Sequence, residues 1–244
     1  MAAISENGPA PETGRRPPLP AFVSPGAAAA ALLLSAACFA MLVFRTTIAD
    51  RPYYFFMMWN LFLAWLPYAG AVAAGAVYNR FADGGALRAL VLLALGAFWL
   101  LFLPNCAYIV TDVIHLIASR NRYLVSGGFG YLVWFDIALF FLFAWLGILL
   151  GYLSTLQFHR MTARRFGPAA GWAFALAASL LAGYGVFLGR IVRLNSWDAW
   201  IRPEELLIEA MDNLHFRGIA FSLTFAFLIA ATYVTLYLLH ERGR

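Results

Sequence analysis

Long apolar stretches divide the chain into six segments, which short polar connections separate. Each stretch holds about twenty residues, and a helix needs roughly 20 residues to cross about 30 Å of hydrocarbon. The pattern predicts an all-α polytopic membrane bundle with about six transmembrane helices and no inserted soluble domain. The predicted spans lie near 26–44, 55–78, 86–104, 128–153, 169–190 and 218–239.

The region before the first span has a different composition. Residues 1–25 are rich in Pro, Gly and Ala and carry Arg15 and Arg16, so a disordered N-terminal tail is predicted. A basic segment before an alanine-rich apolar run also fits a cleaved signal peptide, but the length of the run favours an uncleaved anchor. Residues 26–240 are then predicted to form a single transmembrane domain.

Composition supports a lipid environment. The chain is 63% hydrophobic and 12% charged, whereas soluble domains carry roughly 25% charged residues. The net charge of +5 comes from arginine alone. Because the arginines are dispersed among the connections, they fit topology signals and contact with anionic lipid, and nucleic-acid binding is not expected. Cys38 and Cys106 lie far apart in apolar contexts, which predicts neither a disulfide nor a metal site.

Arginine placement gives a weak signal for orientation. The two sides of the predicted bundle carry similar numbers of arginines, and only the cluster at Arg160, Arg164 and Arg165 stands out near a span end. Positive charge near span ends favours the cytoplasmic side. We therefore expect both termini in the cytoplasm.

The third span changes character at "WLLFLPNCAYIVTDVIHL", residues 99–116. Pro104 removes a backbone donor and disfavours helical geometry at the residue before it, so a break is predicted there. Rotation by 100° per residue then places Asn105, Tyr108, Asp112 and His115 on one stripe. The pattern predicts an amphipathic interfacial helix near 105–117.

A second amphipathic segment lies near 203–215, in "RPEELLIEAMDNLHF". Pro203 suits the first turn of a helix, and Glu204 and Glu205 suit its positive end. The apolar side chains fall on one face. This segment is either a helix on the membrane surface or an ordinary helix packed against the bundle.

Polar residues near span ends are predicted to meet in one leaflet. Asn60 and Asp136 lie near the starts of even-numbered spans, while Arg190 and Arg193 end an odd-numbered one. In an alternating topology these ends share one face, opposite the termini. The candidate ligand-binding residues are Asn60, Asn105, Asp112, His115, Asp136, Arg190, Arg193, Asn195 and Asp198.

Asp136 lies about eight residues, or roughly 12 Å, into its span. An ionised aspartate near the bilayer centre costs roughly 2.5–3.5 kcal/mol even on the lenient insertion scale. Asp136 is therefore expected to be protonated, solvated in a cavity or paired, and Arg190 and Arg193 are the natural partners. Such a group either fastens two helices or belongs to a pocket for an anionic or protonatable ligand.

Four motifs, in order, resemble one known family: "WNLFLAWLPY", "FLPNCAYIVTDVIHL", "WFD" and "GRIVRLNSWD". The chain over about 50–240 resembles the bacterial family of domain of unknown function 1361. The resemblance implies a multi-pass inner-membrane protein and no defined activity. The family commonly has Ala-Pro where this chain has Cys106-Ala107, which argues against catalysis by Cys106. The motif positions carried over are Asn60, Pro104, Asn105, Asp112, His115, Asp136, Arg190, Arg193, Asn195 and Asp198.

Three functions stay open at this level. The first is a polar pocket that binds an anionic or protonatable ligand or a lipid head group, and the second is a structural or accessory subunit whose polar cluster only fastens helices. The third is a membrane-embedded hydrolase or transferase using Asp112, His115 and Asp136. One histidine is few for a zinc site, and neither HExxH nor GxSxG occurs. We therefore expect no metal and no cofactor, assign no catalytic residue and do not favour an enzyme.

Overall fold

The computed structural model describes residues 25–49, 54–81, 85–118 and 130–242. The predicted tail, apart from Pro25, lies outside these residues. Within the described ranges every regular element is helical. The helices are α1 Pro25–Ala49, α2 Phe56–Arg80, α3 Ala86–Phe102, α4 Pro104–Thr111, α5 Ile114–Ala118, α6 Tyr131–Phe166, α7 Pro168–Phe187, a π-helical turn at Leu188–Val192, α8 Asp198–Ile201, α9 Pro203–Asp212 and α10 Phe216–Arg242.

Six helical stretches are long and apolar enough to cross a membrane, which confirms the predicted fold class. The chain is therefore a multi-pass membrane protein. The helix of the fourth span, α6, ends at Phe166 and not near 153. Its buried face after residue 153 includes polar as well as apolar side chains, so the apolar pattern stops before the helix does. The spans are Pro25–Ile48, Phe56–Arg80, Ala86–Thr111, Tyr131–Phe166, Pro168–Val192 and Phe216–Arg242.

The core of the bundle lies along α6. Leu139, Phe143, Leu146 and Leu150 recur at helical spacing and are fully or almost fully buried. Side chains of α1 and α2 pack against this stripe. Burial of a leucine or phenylalanine side chain contributes about 1.5–3 kcal/mol relative to exposure, but within a bilayer tight packing takes over much of that role.

Helical backbone geometry continues through the break that was predicted at Pro104. Leu103 keeps helical dihedral angles, with φ −53° and ψ −39°, and Pro104 occupies the first turn of α4. Proline is tolerated there because the N–H groups of a first turn lack partners within the helix. The interfacial helix predicted near 105–117 is divided, since α4 ends at Thr111 and α5 begins at Ile114.

Two glycines place α4 inside the bundle, between α6 and α7. A Cβ added at Gly147 of α6 would lie 2.5 Å from the carbonyl oxygen of Cys106. A Cβ at Gly185 of α7 would overlap the ring of Pro104. Small residues allow helix backbones to approach closely in membranes. This approach buries Ile109.

The short helix α9 matches the second amphipathic segment but ends at Asp212 rather than near 215. The hydroxyl of Tyr184 in α7 donates a hydrogen bond to the carbonyl of Ala210. Leu207, Ile208 and Met211 remain exposed. The helix is thus attached to the bundle at one side and presents apolar side chains outward.

Replacing Gly147 tests the close approach of α4. We expect Gly147→Ala to lower the free energy of unfolding by about 1–3 kcal/mol, because the new methyl group meets a backbone oxygen that cannot move alone. For a chain of this size that is roughly 2–4 °C in Tm per kcal/mol, measurable by thermal unfolding in detergent. Gly96→Ala is the control, since its nearest atom is a phenylalanine carbon at 3.7 Å. An equal loss in both variants contradicts the packing described.

Candidate functional site

The end of α4 carries a buried carboxylate with two donors from other helices. Asp112 is 1% exposed. Its Oδ2 accepts a hydrogen bond from Nδ2 of Asn60 on α2 at 2.7 Å, and its Oδ1 accepts one from Nη2 of Arg190 at 2.5 Å. The second, third and fifth spans therefore meet at this carboxylate.

Arg190 is held by more than its ion pair. Its Nε donates to Oγ1 of Thr111 at 2.6 Å, and its guanidinium carbon lies 4.2 Å from the ring centroid of Tyr108. The side chain is mostly buried, with 18% exposed. Stacking on an aromatic ring while pairing with a carboxylate is an arrangement that arginine suits better than lysine.

The backbone around Arg190 departs from α-helical geometry. Leu188–Val192 forms a π-helical turn, and Arg193 follows with φ +69°, in the left-handed region. This conformation costs a non-glycine residue roughly 1–2 kcal/mol. Both features are enriched at functional sites. Here they end the fifth span and turn the chain towards the loop at 194–197.

Burial opposes ionisation of Asp112. Removal from solvent raises the pKa of this carboxyl, which directly follows the third span. Hydrogen bonds from Asn60 and Arg190, and the positive charges of Arg190 and His115, act in the opposite direction. The carboxylate therefore depends on its donors to stay ionised.

Asp136 pairs with a residue that the sequence reasoning did not select. Its Oδ1 accepts from Nε of Arg45 at 2.5 Å, and its Oδ2 accepts from Nη2 of Arg45 at 2.9 Å. Asp136 is 0% exposed. The prediction that it pairs with Arg190 and Arg193 is wrong, because α1 packs on α6 and brings Arg45 to the same depth. The position of Arg45 near the end of the first span was the signal available in the sequence.

The loop after the π-helical turn is fastened to the junction of α3 and α4. Nδ2 of Asn105 donates to the carbonyl of Phe102 at 3.0 Å and to Oγ of Ser196 at 3.1 Å. Oγ of Ser196 in turn donates to the carbonyl of Leu101 at 3.1 Å. Ser196, which sequence reasoning missed, thus shares with Asn105 the role of holding this loop.

Asn195 and Asp198 organise the same loop internally. The backbone N–H of Asn195 donates to Oδ2 of Asp198 at 2.7 Å, and Arg202 donates to Oδ1 at 3.3 Å. The pKa of Asp198 lies below its usual value, mainly because of the N–H of Asn195 and further because of Arg202. These two candidate residues shape the wall of the site rather than joining the Asp112 pair.

His115 and Arg193 lie near the pair. The ring of His115 is 4.6 Å from that of Phe56. Arg193 is exposed and forms no ion pair within the described residues. Across the same ranges, no three His, Cys, Asp or Glu side chains converge as metal ligands would.

A cavity of about 510 Å³ borders this group of residues. Ligand-binding pockets typically measure about 300–1,000 Å³. Its polar lining includes Asn60 and Tyr108, which also contact Asp112 and Arg190. The complete lining is Trp59, Asn60, Leu63, Ala97, Leu100, Leu101, Pro104, Asn105, Tyr108, Leu181, Tyr184, Gly185, Leu188, Gly189, Leu194, Asn195, Ser196, Trp197 and Leu206.

The lining changes in polarity along the helices. Asn60, Asn105 and Tyr108 belong to the span ends, together with the 194–197 loop. Leu63 on α2 and Ala97 on α3 lie further from these span ends. The cavity thus offers hydrogen-bonding groups at one end and apolar side chains at the other.

Comparison with known families gives one match. A family model described as "Protein of unknown function (DUF1361)" matches residues 59–232. The chain belongs to this family. No curated protein and no solved structure matches the chain. For this DUF1361 member, the matched region includes every candidate ligand-binding residue and excludes Arg45.

The pairing of Asp136 with Arg45 is testable in this DUF1361 member. Arg45→Met leaves a buried carboxylate without its cation, which typically costs about 3–5 kcal/mol. We expect a large loss of Tm in detergent for Arg45→Met, and substantial recovery in the double variant Arg45→Met/Asp136→Leu, because both charges are then absent.

The control for this pair is Glu241→Gln, which removes a partly exposed ion pair with Arg160 and is expected to cost at most about 1 kcal/mol. Recovery of Asp136→Leu by Arg190→Met instead of Arg45→Met would contradict the pairing.

Proposed function

We propose that this DUF1361 member binds an amphipathic anion, with the head group at the Arg190 end of the cavity and the apolar chain between α2, α3 and α7. The head group is a lipid-type or free anion such as a phosphate, sulfonate or carboxylate. The protein is proposed to act in a bacterial plasma membrane with both termini in the cytoplasm, so the cavity lies in the outer leaflet.

The observation that carries this proposal is the link between the cavity and Arg190 through one shared aromatic side chain. Tyr108 lines the cavity and stacks on the guanidinium of Arg190. Within the described residues, Nη1 of Arg190 donates no hydrogen bond, while Nε donates to Thr111 and Nη2 donates to Asp112. Arginine matches the oxygens of phosphate and carboxylate groups. Exposed Arg193 adds positive charge nearby.

The graded lining supports an amphipath over a small soluble anion. A small free anion would leave the apolar wall of the cavity uncovered, whereas an alkyl chain would cover Leu63, Leu100 and Leu181. Ala97 is exposed at the cavity wall, which gives a chain lateral access from the bilayer.

For the pair of Arg45 and Asp136, a purely structural role fits better than ligand binding. Arg45 and Asp136 lie in a bidentate pair of which neither member lines this cavity. We assign this pair to fastening α1 on α6. The fastening and the binding hypotheses therefore apply to different residues of one leaflet.

Calorimetry tests the proposed binding. Protein in phosphatidylcholine nanodiscs is titrated with 1-decanesulfonate, methanesulfonate and 1-decanol, with empty nanodiscs as the reference. We expect saturable binding of 1-decanesulfonate alone, because it combines the anion with a chain. Binding of methanesulfonate as well would indicate a free-anion site, and binding of 1-decanol as well would remove the role of charge.

Matched variants locate the ligand. Ala97→Phe fills the cavity and should abolish binding, whereas Ala94→Phe, exposed one turn away on α3 and outside the lining, should leave it unchanged. Arg193→Gln should weaken binding only slightly, because Arg193 is exposed and water screens its charge. Unaltered binding in Ala97→Phe places the ligand elsewhere.

Orientation has its own test. We expect a C-terminal fluorescent-protein fusion to fluoresce in bacterial cells and a C-terminal alkaline phosphatase fusion to be inactive, because the first reporter matures in the cytoplasm and the second needs an oxidising compartment. The opposite pattern would place the cavity in the inner leaflet.

A further inference from the structure

Arg190 is already neutralised before any ligand arrives. Its guanidinium pairs with Asp112 at 2.5 Å and bonds to Thr111 at 2.6 Å. An anion that approaches the remaining edge of this guanidinium would place two negative charges around one positive charge. Such an arrangement is unfavourable in a site that is largely shielded from water.

The carboxylate cannot relieve this conflict by turning to solvent. Asp112 is 1% exposed and lies within hydrogen-bond distance of Asn60 and Arg190. Asn60 is neutral, so it cannot replace the lost charge. A buried carboxylate that loses its cation shifts towards its protonated form.

The charged and titratable groups around Asp112 come from several elements. Arg190 lies in the π-helical turn, His115 in α5 and Tyr108 in α4, and Arg193 follows the turn. Arg193 is exposed, so water screens its charge. His115 is only partly buried, and its charge acts on Asp112 less than that of Arg190 does. Arg190 is therefore the cation on which the ionised form of Asp112 chiefly depends.

We infer that binding of the amphipathic anion is coupled to uptake of one proton by the carboxylate of Asp112. This inference rests on the proposed function. Before binding, the site holds one carboxylate and one guanidinium. Afterwards it holds a neutral carboxylic acid, the guanidinium and the bound anion, with the proton taken from water. The site is neutral in both states, and it accepts an anion together with a proton.

Protonation of Asp112 also changes its hydrogen bonding. A carboxylic acid accepts more weakly than a carboxylate, so the hold on Nη2 of Arg190 loosens and the guanidinium gains freedom to face the ligand. Burial already raises the pKa of Asp112, and the nearby anion would raise it further. Both effects favour binding at lower pH.

Two-buffer calorimetry measures this coupling directly. Wild-type protein in phosphatidylcholine nanodiscs is titrated with 1-decanesulfonate, whose head group stays ionised from pH 5 to 8, in two buffers of different ionisation enthalpy. We expect uptake approaching one proton per bound anion at neutral pH. The affinity should fall up to tenfold per unit rise in pH, as a one-proton linkage requires.

Three variants assign the proton. Asp112→Asn should bind without proton uptake and without pH dependence, because the amide cannot ionise. His115→Gln should keep both properties, which excludes the nearest histidine. Asp212→Asn, an exposed acid at the end of α9, is the matched acidic control and should also keep both.

The outcomes separate this inference from the function on which it rests. Binding by wild-type protein without proton uptake, or with uptake that persists in Asp112→Asn, overturns the coupling and leaves the binding function intact. Absence of binding at every pH overturns the proposed function itself. Even if Asp112→Asn does not fold, binding by wild-type protein without proton uptake overturns the coupling.

Discussion

A charged side chain within the bundle needs an opposite charge, because neither lipid nor packed protein solvates it. Two arginine–carboxylate pairs meet this requirement at one end of the bundle. Arg45 with Asp136 joins the first and fourth spans, and Arg190 with Asp112 joins the fifth and third. Each pair constrains where two helices end relative to each other. Much of the arrangement at this end of the molecule follows from satisfying both pairs.

Close helix packing puts the second pair in place. Gly147 and Gly185 leave room for α4 between α6 and α7. In this position, the oxygens of Asp112 accept hydrogen bonds from Asn60 and Arg190 and from no other side chain of the described ranges. A helix lying at the interface, as the amphipathic pattern suggested, would have left the carboxylate in contact with water. The backbone packing therefore converts an ordinary aspartate into a strongly constrained one.

The two pairs differ in what surrounds them. The Arg45–Asp136 pair is bidentate and its members do not line the large cavity. The Asp112 pair borders that cavity through Asn60 and Tyr108 and follows a π-helical turn and a left-handed Arg193. Strained backbone costs free energy, and residues with such strain cluster at functional sites. This contrast is why binding is proposed at one pair and fastening at the other.

The amino-acid sequence by itself determined the six spans, the family, and the polar character of several span ends. Those features depend on local hydrophobic length and on alternation of span ends, and both can be read along the chain. The tertiary structure decided which charge pairs with which. Asp136 had several arginines at a suitable depth, and lateral packing of α1 on α6 selected Arg45. Packing likewise decided that α4 is buried and that Ser196 holds the loop, because helix neighbours in the membrane plane are set by shape contacts between distant segments.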